Sequence, residues 1–404
     1  VRVTHVIQRY SPAMGGSEVW CREVSRDLAA AGDDVTVLTL NVIEEEEYWQ
    51  DPPVEACTRR LGRLEWDGPI LVRRYPRTRP VHSLYHGVFD GLLYRRLGIY
   101  FYGPHSAEWY AQIPRAVRAS DVVHLHTVPY PHNALAYAAA RLAGKRVVIT
   151  PHFHPDHPHY ELWSNYWLLR RCDAVFAVSE YERDYLAARG IRRKALVVTG
   201  NGVRPEAYRP GDVAEFRRAL AGRTGWAEGT RLVLFVGRKA EYKGLATLVS
   251  ALRAVRGRQA VGAVLAGPSS PWFDRYYASL SADDRAAVVD LGAVSHEEKV
   301  QLLHAADVLV LPSAFEAFGI VFLEAWICGT PVIGAARGAM PSVIGDAGLT
   351  FAHGDPADLA RAIEAILADP ARARAMADRG RAKVEARYTW ARIAATVREA
   401  YRAA

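Results

Sequence analysis

Short apolar runs recur along this chain, and most lead through a turn into a segment with helical apolar spacing. Val3 to Gln8, Val35 to Leu40, Val122 to His126, Val147 to Thr150, Ala174 to Val178 and Ala195 to Thr199 form a first series. Arg231 to Val236, Val261 to Ala266, Val288 to Leu291, Val308 to Leu311 and Val332 to Gly334 form a second. Runs this short and this apolar fit strands buried on both faces. The segments between them read as helices; Glu18 to Ala31, for example, sets Val19, Val24, Leu28 and Ala31 along one stripe. Strand–helix alternation builds parallel sheets, which bind ligands beyond the carboxyl ends of their strands. The rhythm breaks once, at Gly200-Asn201-Gly202-Val203-Arg204-Pro205, and then restarts. A chain of 404 residues also exceeds one comfortable core. The expectation is an α/β protein with two Rossmann-like domains, 1–206 and 207–388.

Composition narrows the function classes. Half the residues are apolar, and 51 basic against 44 acidic residues give a net charge of +7. That balance suits an anionic small ligand or an anionic membrane surface, and it lacks the dense basic stripe of a nucleic-acid binder. Arg59, Arg60, Arg63, Arg73, Arg74, Arg77, Arg79, Arg95 and Arg96 are interleaved with Trp66, Tyr75, Tyr85, Phe89, Tyr94, Tyr100, Phe101 and Tyr102. They read either as a basic, aromatic-rimmed face for an acceptor or anionic lipid, or as arginines scattered on solvated surface. Glu44 to Glu47 reads as a solvated acidic run. The N-terminus reads as a strand rather than a signal peptide, and no uninterrupted apolar stretch is long enough to span a bilayer. Cys21, Cys57, Cys172 and Cys328 show no C-x-x-C spacing, which fits a reducing cytosol and argues against a disulfide framework or zinc site. A cytoplasmic protein is expected, with a peripheral contact to the inner membrane face as a further expectation.

Four loops at strand ends carry chemistry. Gly15-Gly16 follows the first strand; it is either a ligand-approach turn or simply a tight turn, and its spacing is not the G-x-G-x-x-G dinucleotide fingerprint. Pro151 to His159 holds four histidines among prolines. Prolines keep such a segment extended, so alternate residues diverge, and the spacing matches no helical or zinc-finger site. His152, just past a strand end, is favoured as a ligand contact over His154. Gly237-Arg238-Lys239-Ala240-Glu241-Tyr242-Lys243-Gly244 puts cations between a strand end and a helix start, chemistry suited to a diphosphate. The alternative is ordinary surface charge. Finally, Glu316 and Glu324 bracket Phe318-Gly319-Ile320, where a helix begins. Helix N-termini attract anions, and the glycine admits close approach. Glu324 sits in an otherwise apolar helix, where a buried carboxylate is costly unless paired.

Taken together, these markers resemble the retaining glycosyltransferases of family 4, which have the two-Rossmann-domain GT-B architecture. The resemblance covers nearly the whole chain: Gly15-Gly16-x-Glu18, Thr150-x-His152, Asn201-Gly202-Val203, Gly237-Arg238 with Lys243-Gly244, Glu316 with seven residues to Glu324, and Gly329-Thr330-Pro331, all in the family's order. It implies two domains facing across a cleft, with 389–404 crossing back onto the first. It implies a nucleoside-diphosphate sugar as co-substrate, held by Arg238, Lys243 and main chain at Gly15, Gly16, Gly237, Phe318, Gly319 and Ile320. Glu324 would accept the ribose hydroxyls, Glu316 would bind donor-sugar hydroxyls, His152 would contact the sugar near its reacting face, and main chain at Val294 would cover the base. His152, Arg238, Lys243 and Glu316 are thus the catalytic candidates. The chain departs from the family after Val332, where Gly338-Ala339-Met340-Pro341-Ser342 replaces a Gly-Gly pair followed by Glu.

The implied reaction moves a sugar to an acceptor hydroxyl with retention, by front-face attack in which a leaving-group phosphate oxygen is the base. No cofactor or metal is expected: Arg238 and Lys243 can balance the diphosphate, and no Asp-x-Asp pair is present. A UDP-sugar is the favoured donor. The acceptor, whether sugar, lipid-linked glycan or natural product, is not fixed, nor is the oligomeric state. The alternatives are a nucleotide-sugar epimerase on the same fold and a non-catalytic sugar-nucleotide-binding protein; a dehydrogenase is disfavoured by the missing fingerprint.

Overall fold

Most of the apolar runs form strands in the computed structural model, which describes residues 1–13, 15–43, 61–77, 105–155 and 157–403. Contacts between residues divide the chain into unit 1, residues 1–201 with 390–404, and unit 2, residues 202–389.

Unit 1 begins with β1 (Arg2–Val6), α1 (Gly16–Ala30) and β2 (Asp34–Leu40). A hairpin follows, β3 (Leu64–Asp67) and β4 (Ile70–Tyr75). Then come α2 (Ala107–Ala119), β5 (Val122–His126), α3 (His132–Leu142), β6 (Arg146–Thr150), α4 (Trp163–Leu169), β7 (Ala174–Ala177), α5 (Glu180–Ala188) and β8 (Leu196–Val198). The described strands make one eight-stranded sheet, in the order β3-β4-β2-β1-β5-β6-β7-β8. Only the β3–β4 pairing is antiparallel. The central strands are apolar because helices cover both faces; Val6, Val123, Leu125, Val147 and Ile149 are fully or almost fully buried. Ser106 and Ser179 cap α2 and α5, each accepting from the backbone N–H three residues on.

Unit 2 runs α6 (Val213–Thr224), β9 (Arg231–Val236), α7 (Leu245–Arg256), β10 (Val261–Ala266), α8 (Pro271–Ala278), α9 (Ala282–Ala287), β11 (Val288–Gly292), α10 (His296–Ala305), β12 (Val308–Leu311), α11 (Ile320–Ile327), β13 (Val332–Ala335), α12 (Met340–Ile344), β14 (Gly348–Phe351), α13 (Pro356–Ala368) and α14 (Pro370–Arg387). Its sheet has six parallel strands in the order β11-β10-β9-β12-β13-β14. Ser295 caps α10, accepting from Glu298 N at 3.0 Å. The reciprocal half of the capping box is replaced: Glu298 pairs with Arg223 at 3.0 Å.

The last helix, α15 (Trp390–Arg402), belongs to unit 1 and packs on α1. Its amphipathic stripe buries Trp390, Ile393, Val397 and Tyr401. Arg398 reaches Asp33 at 2.7 Å, and Tyr401 is hydrogen-bonded to His124 Nδ1 at 2.6 Å.

The structure differs from the sequence reading in several places. The region between residues 41 and 105 holds an unforeseen strand, β3, and α2 follows it despite Pro114 inside the helix. Arg74 is not a surface arginine: it is buried, pairs with Glu65 at 3.2 Å and donates to Ser11 O. Most of the remaining basic-aromatic stretch (Arg59, Arg60, Arg79, Arg95, Arg96, Tyr85, Phe89, Tyr94, Tyr100, Phe101, Tyr102), together with Glu44 to Glu47 and Cys57, lies outside the described residues. The described cysteines, Cys21, Cys172 and Cys328, are free and buried. Among the described residues no helix is long and apolar enough to cross a membrane.

Candidate active site

In unit 2 the chemistry gathers at the carboxyl ends of β9 and β12. The β9 loop ends at Gly244, which starts α7 with φ +71°. A Cβ there would lie 2.2 Å from Pro312 O, so only glycine lets this loop press against the β12 loop. Tyr242 O accepts from Ala314 N at 2.7 Å across the same contact. Lys243 is thereby carried to Glu316, and Nζ donates to Oε1 at 2.6 Å. Ser313 Oγ donates to the same oxygen at 2.7 Å. Both members of the ion pair are mostly buried, with side chains 13% and 15% exposed.

The three cations of the β9 loop part company. Lys239, counted with them in the sequence, is fully buried, pairs with Asp290 and lies 4.8 Å above the Phe273 ring. It is structural and does not face a ligand. Arg238 is exposed, and its side chain makes no hydrogen bond or ion pair among the described residues. Gly237 marks the strand end, where its N–H pairs with Ala266 O.

Gly319 takes φ +86° and starts α11, as expected for a backbone that must turn sharply into the helix. The buried carboxylate Glu324 is not left alone. Tyr208 Oη and Lys299 Nζ each donate to Oε1 at 2.7 Å, and Oε2 receives no donor among the described residues. Burial, and then the charge of Glu324, push the Tyr208 phenol well above its ordinary value, so it remains a donor. Neither Tyr208 nor Lys299 is marked in the sequence; a buried carboxylate called for partners but could not say which. Phe318 contributes a buried ring packed edge-on against Tyr388 at 5.3 Å, so any ligand contact there falls to its main chain. Ile320 opens α11, and Val294 lies half-buried after β11. The departing loop at Gly338 lies against the same site: Ala339 N donates to Glu316 O at 3.3 Å.

Unit 1 offers a different set. His152 follows β6 with φ +46°, so the segment is not extended there as its prolines suggest; the left-handed turn carries the imidazole inward. The ring is buried, and Nε2 has no partner. Burial, with a smaller push from His154, lowers its pKa to about 3, so it is neutral. Below it, Glu182 accepts from Phe153 N at 2.9 Å and Val178 N at 2.6 Å, fixing the turn; burial raises its pKa to about 7. His154 is only partly buried, while His157 is exposed, so the histidines of this segment do not converge.

His152 has company that sequence reasoning missed. Gln8 Oε1, His126 Nδ1, Thr127 Oγ1 and Asn201 Oδ1 are likewise buried without partners. Each lies within a few residues of the carboxyl end of β1, β5 or β8. Thr127 is also held at φ +58°. An unpartnered buried polar group costs about 1–3 kcal/mol, and a strained non-glycine residue about 1–3 kcal/mol. These groups stand together at the carboxyl ends of their strands, where a polar ligand would find them open. The signal available in the sequence was the alternation of His124 and His126 in an otherwise apolar strand.

Three buried rings of β1 and β5, His5, His124 and His126, bring nitrogens within 4.8 Å of one another. His124 and His126 are stacked, 22° and 4.3 Å apart, and His5 is tilted against both, at 34° and 30° with centroids 4.9 and 5.1 Å away. A shared metal needs the ring planes to point at one centre. His124 moreover uses both nitrogens, toward Tyr401 and toward Thr150 Oγ1 at 2.8 Å, while His5 Nδ1 is bonded to His126 Nε2 at 2.8 Å. The trio is a neutral, hydrogen-bonded imidazole cluster.

The glycine pair separates too. Gly15 lies beside Glu18, where a Cβ would stand 2.2 Å from Oε2, whereas a Cβ on Gly16 would meet nothing within 4 Å. Glu18 itself is buried and holds Arg9 at 2.9 Å.

The sequence model described as glycosyl transferases group 1 matches residues 216–383, and that described as glycosyltransferase family 4 matches residues 14–207. The chain is 29% identical to the D-inositol 3-phosphate glycosyltransferase of Nocardia farcinica, over 96% of this chain and 85% of that protein. It is 32% identical to the alpha-maltose-1-phosphate synthase of Mycobacterium tuberculosis, over 71% of this chain and 80% of that protein. Its fold is similar to that of Anabaena HepE in complex with UDP and glucose (TM-score 0.70, 19% identity, 98% of each chain). It is also similar to that of sucrose-phosphate synthase from Thermosynechococcus elongatus (TM-score 0.73, 23% identity, 99% of this chain and 98% of that one).

Proposed function

This chain belongs to family 4 of the glycosyltransferases, with the two-domain GT-B fold, and from that premise we propose that it moves a sugar from a nucleoside-diphosphate sugar, a UDP-sugar by preference, to an acceptor hydroxyl with retention and without a divalent metal. The observation that carries this reading is Glu324. A carboxylate in an apolar helix, steadied through one oxygen by Tyr208 and Lys299 and open at the other, is suited to two vicinal ribose hydroxyls. UDP as the base is supported by the structural neighbour solved with UDP and glucose.

The rest of the unit 2 site follows in this reading. Arg238, exposed and without a protein partner, and Lys243 take the diphosphate, with main chain at Gly319 and Ile320 adding helix-end N–H groups. Lys243 shares its charge with Glu316 before the donor arrives, so Glu316 is oriented for donor-sugar hydroxyls while Lys243 turns toward phosphate. As the sugar C1–O bond breaks, the electron pair leaves with the diphosphate and charge grows on oxygens that these cations face. The acceptor oxygen bonds to C1 on the same face, and its proton passes to a leaving phosphate oxygen. Losing one such fixed donor typically costs ~10²–10³ in rate. On unit 1, His152 and its unpartnered neighbours offer neutral groups to sugar and acceptor hydroxyls. Main chain at Val294 completes the donor contacts on unit 2.

The test is a thermal-shift panel of UDP, GDP, ADP and dTDP, followed by hydrolysis of the matching glucose donor with and without EDTA. One diphosphate should stabilise the protein by about 2.7 kcal/mol at a hundredfold excess over its dissociation constant. Its donor should turn over equally with EDTA, and the product should keep the anomeric configuration. Binding without turnover would leave a sugar-nucleotide-binding protein, and C2 inversion of the free sugar would leave an epimerase.

A further inference from the structure

We propose that an apolar pocket in unit 1, between the β5–α3 turn and α4, receives a non-sugar, apolar portion of the acceptor; this rests on the transferase reading above. The cavity has a volume of about 590 Å³, within the ~300–1,000 Å³ of small-molecule sites. Val128, Pro129 and Tyr130 form one wall, and Leu135, Trp163 and Trp167 the other.

The tryptophans are the anomaly. Trp163 and Trp167 stand one turn apart on α4 and are 54% and 39% exposed; Trp66, on the edge strand β3, is exposed singly, and Trp20, Trp109 and Trp326 are fully buried. The wall is already fixed. Trp167 is braced edge-on by Tyr137 at 5.7 Å and covered by the Arg171 guanidinium at 4.3 Å. It is also poor in free polar groups: the Asn165 amide donates to His159 O and Tyr160 O, both at 3.0 Å. A sugar needs several hydrogen-bonding partners from its pocket; an aliphatic or aromatic body does not.

The pocket continues the site already described. Thr127 N donates to Thr150 O and Val128 N to Pro151 O, so the pocket wall begins next to Thr127 and beside His152. An acceptor whose hydroxyl meets the unpartnered groups at the strand ends has this cavity as the next space for the rest of its body. Concavity favours a single molecule over a bilayer surface, which would need the tryptophans on a convex face.

The probe is n-octyl β-D-glucopyranoside against methyl β-D-glucopyranoside, titrated below micelle formation with UDP present and read by tryptophan fluorescence. Burying one methylene is worth about fourfold in affinity, so the octyl glycoside should bind at least ~30-fold tighter. Trp163→Ala and Ala134→Trp, the latter filling the cavity from an exposed position, should each cut that preference about tenfold. Circular dichroism checks that both are folded. Equal binding of the two glycosides, or a preference that survives Ala134→Trp, overturns the proposal. So does Trp163-dependent pelleting with phosphatidylcholine–phosphatidylglycerol vesicles without an octyl preference, which would make this a membrane contact. UDP binding and UDP-glucose hydrolysis by the unaltered protein report separately: their success without an octyl preference defeats this inference alone, and their failure with it defeats the transferase reading alone.

Discussion

In unit 2 the buried charged groups at the strand ends are satisfied before a ligand arrives, Lys243 with Glu316 and Ser313, and Glu324 with Tyr208 and Lys299, while Arg238 stands unpaired in solvent. In unit 1 the corresponding groups are neutral and unsatisfied, and two of them, Thr127 and His152, also sit on left-handed backbone. The physical reason lies in what each could tolerate. An unpaired buried charge costs far more than an unpaired imidazole or amide, so a site for an anion must balance itself when empty. A site for hydroxyls can stay open at about 1–3 kcal/mol per group. The first arrangement exchanges partners on binding; the second only adds them.

That contrast can be broken by substitution. The largest effect should come from Lys243→Ala, which removes a fixed cation and strands Glu316; donor hydrolysis should fall ~10²–10³-fold in a folded protein. Near-normal turnover would remove Lys243 from the leaving-group site. Glu324→Gln keeps the shape and loses the charge. A hydrogen bond to a charged group is worth about 1.5–3 kcal/mol, so UDP affinity, measured by calorimetry, should drop about 10–150-fold. Unchanged affinity would show that Oε2 is not a ribose ligand.

Acid should separate the units. Burial lowers His5, His132 and His152 to about 3 and His154 to about 4, all in unit 1. Below pH 6.5 the unfolded chain takes up protons that folded unit 1 refuses, so stability present above 6.5 is lost as pH falls toward 3. Glu182, raised to about 7, works the other way and contributes as pH falls from 7 to 4.5. Four histidines outweigh it. In unit 2 His353 shifts downward too, but it is exposed. Calorimetry between pH 7 and 4.5 should therefore show the unit 1 transition falling faster; parallel shifts in both units would contradict this. The smallest effect is Thr127→Gly, which relieves the positive φ and deletes an unpartnered hydroxyl. A gain of about 1 kcal/mol would raise Tm by roughly 2–4 °C, and a fall would mean that the hydroxyl has a partner after all.

Most strands of both sheets could be read from the sequence because buried parallel strands are nearly pure apolar runs. What escaped was weakly marked or non-local. α2 contains Pro114, which argues against a helix, and β14 is a four-residue edge strand with Thr350 exposed. In the site, Glu324 announced itself as a carboxylate in the wrong company, whereas Tyr208 lies 116 residues away and joins it only through the fold. Arg238, Lys239 and Lys243 look alike in sequence; burial alone sends Lys239 to Asp290. His126 was hidden because histidines on an apolar strand are ordinarily satisfied core residues, as His124 is here.

The placement of α15 in unit 1 bears on how the protein is made. A ribosome releases residues 1–201 first, yet their sheet keeps Asp33 and His124 without Arg398 and Tyr401 until all of unit 2 has been translated. Domains generally fold as they emerge. Here the earlier-born unit must wait for the later one, so its exposed α1 surface becomes the stretch a nascent-chain chaperone would have to guard.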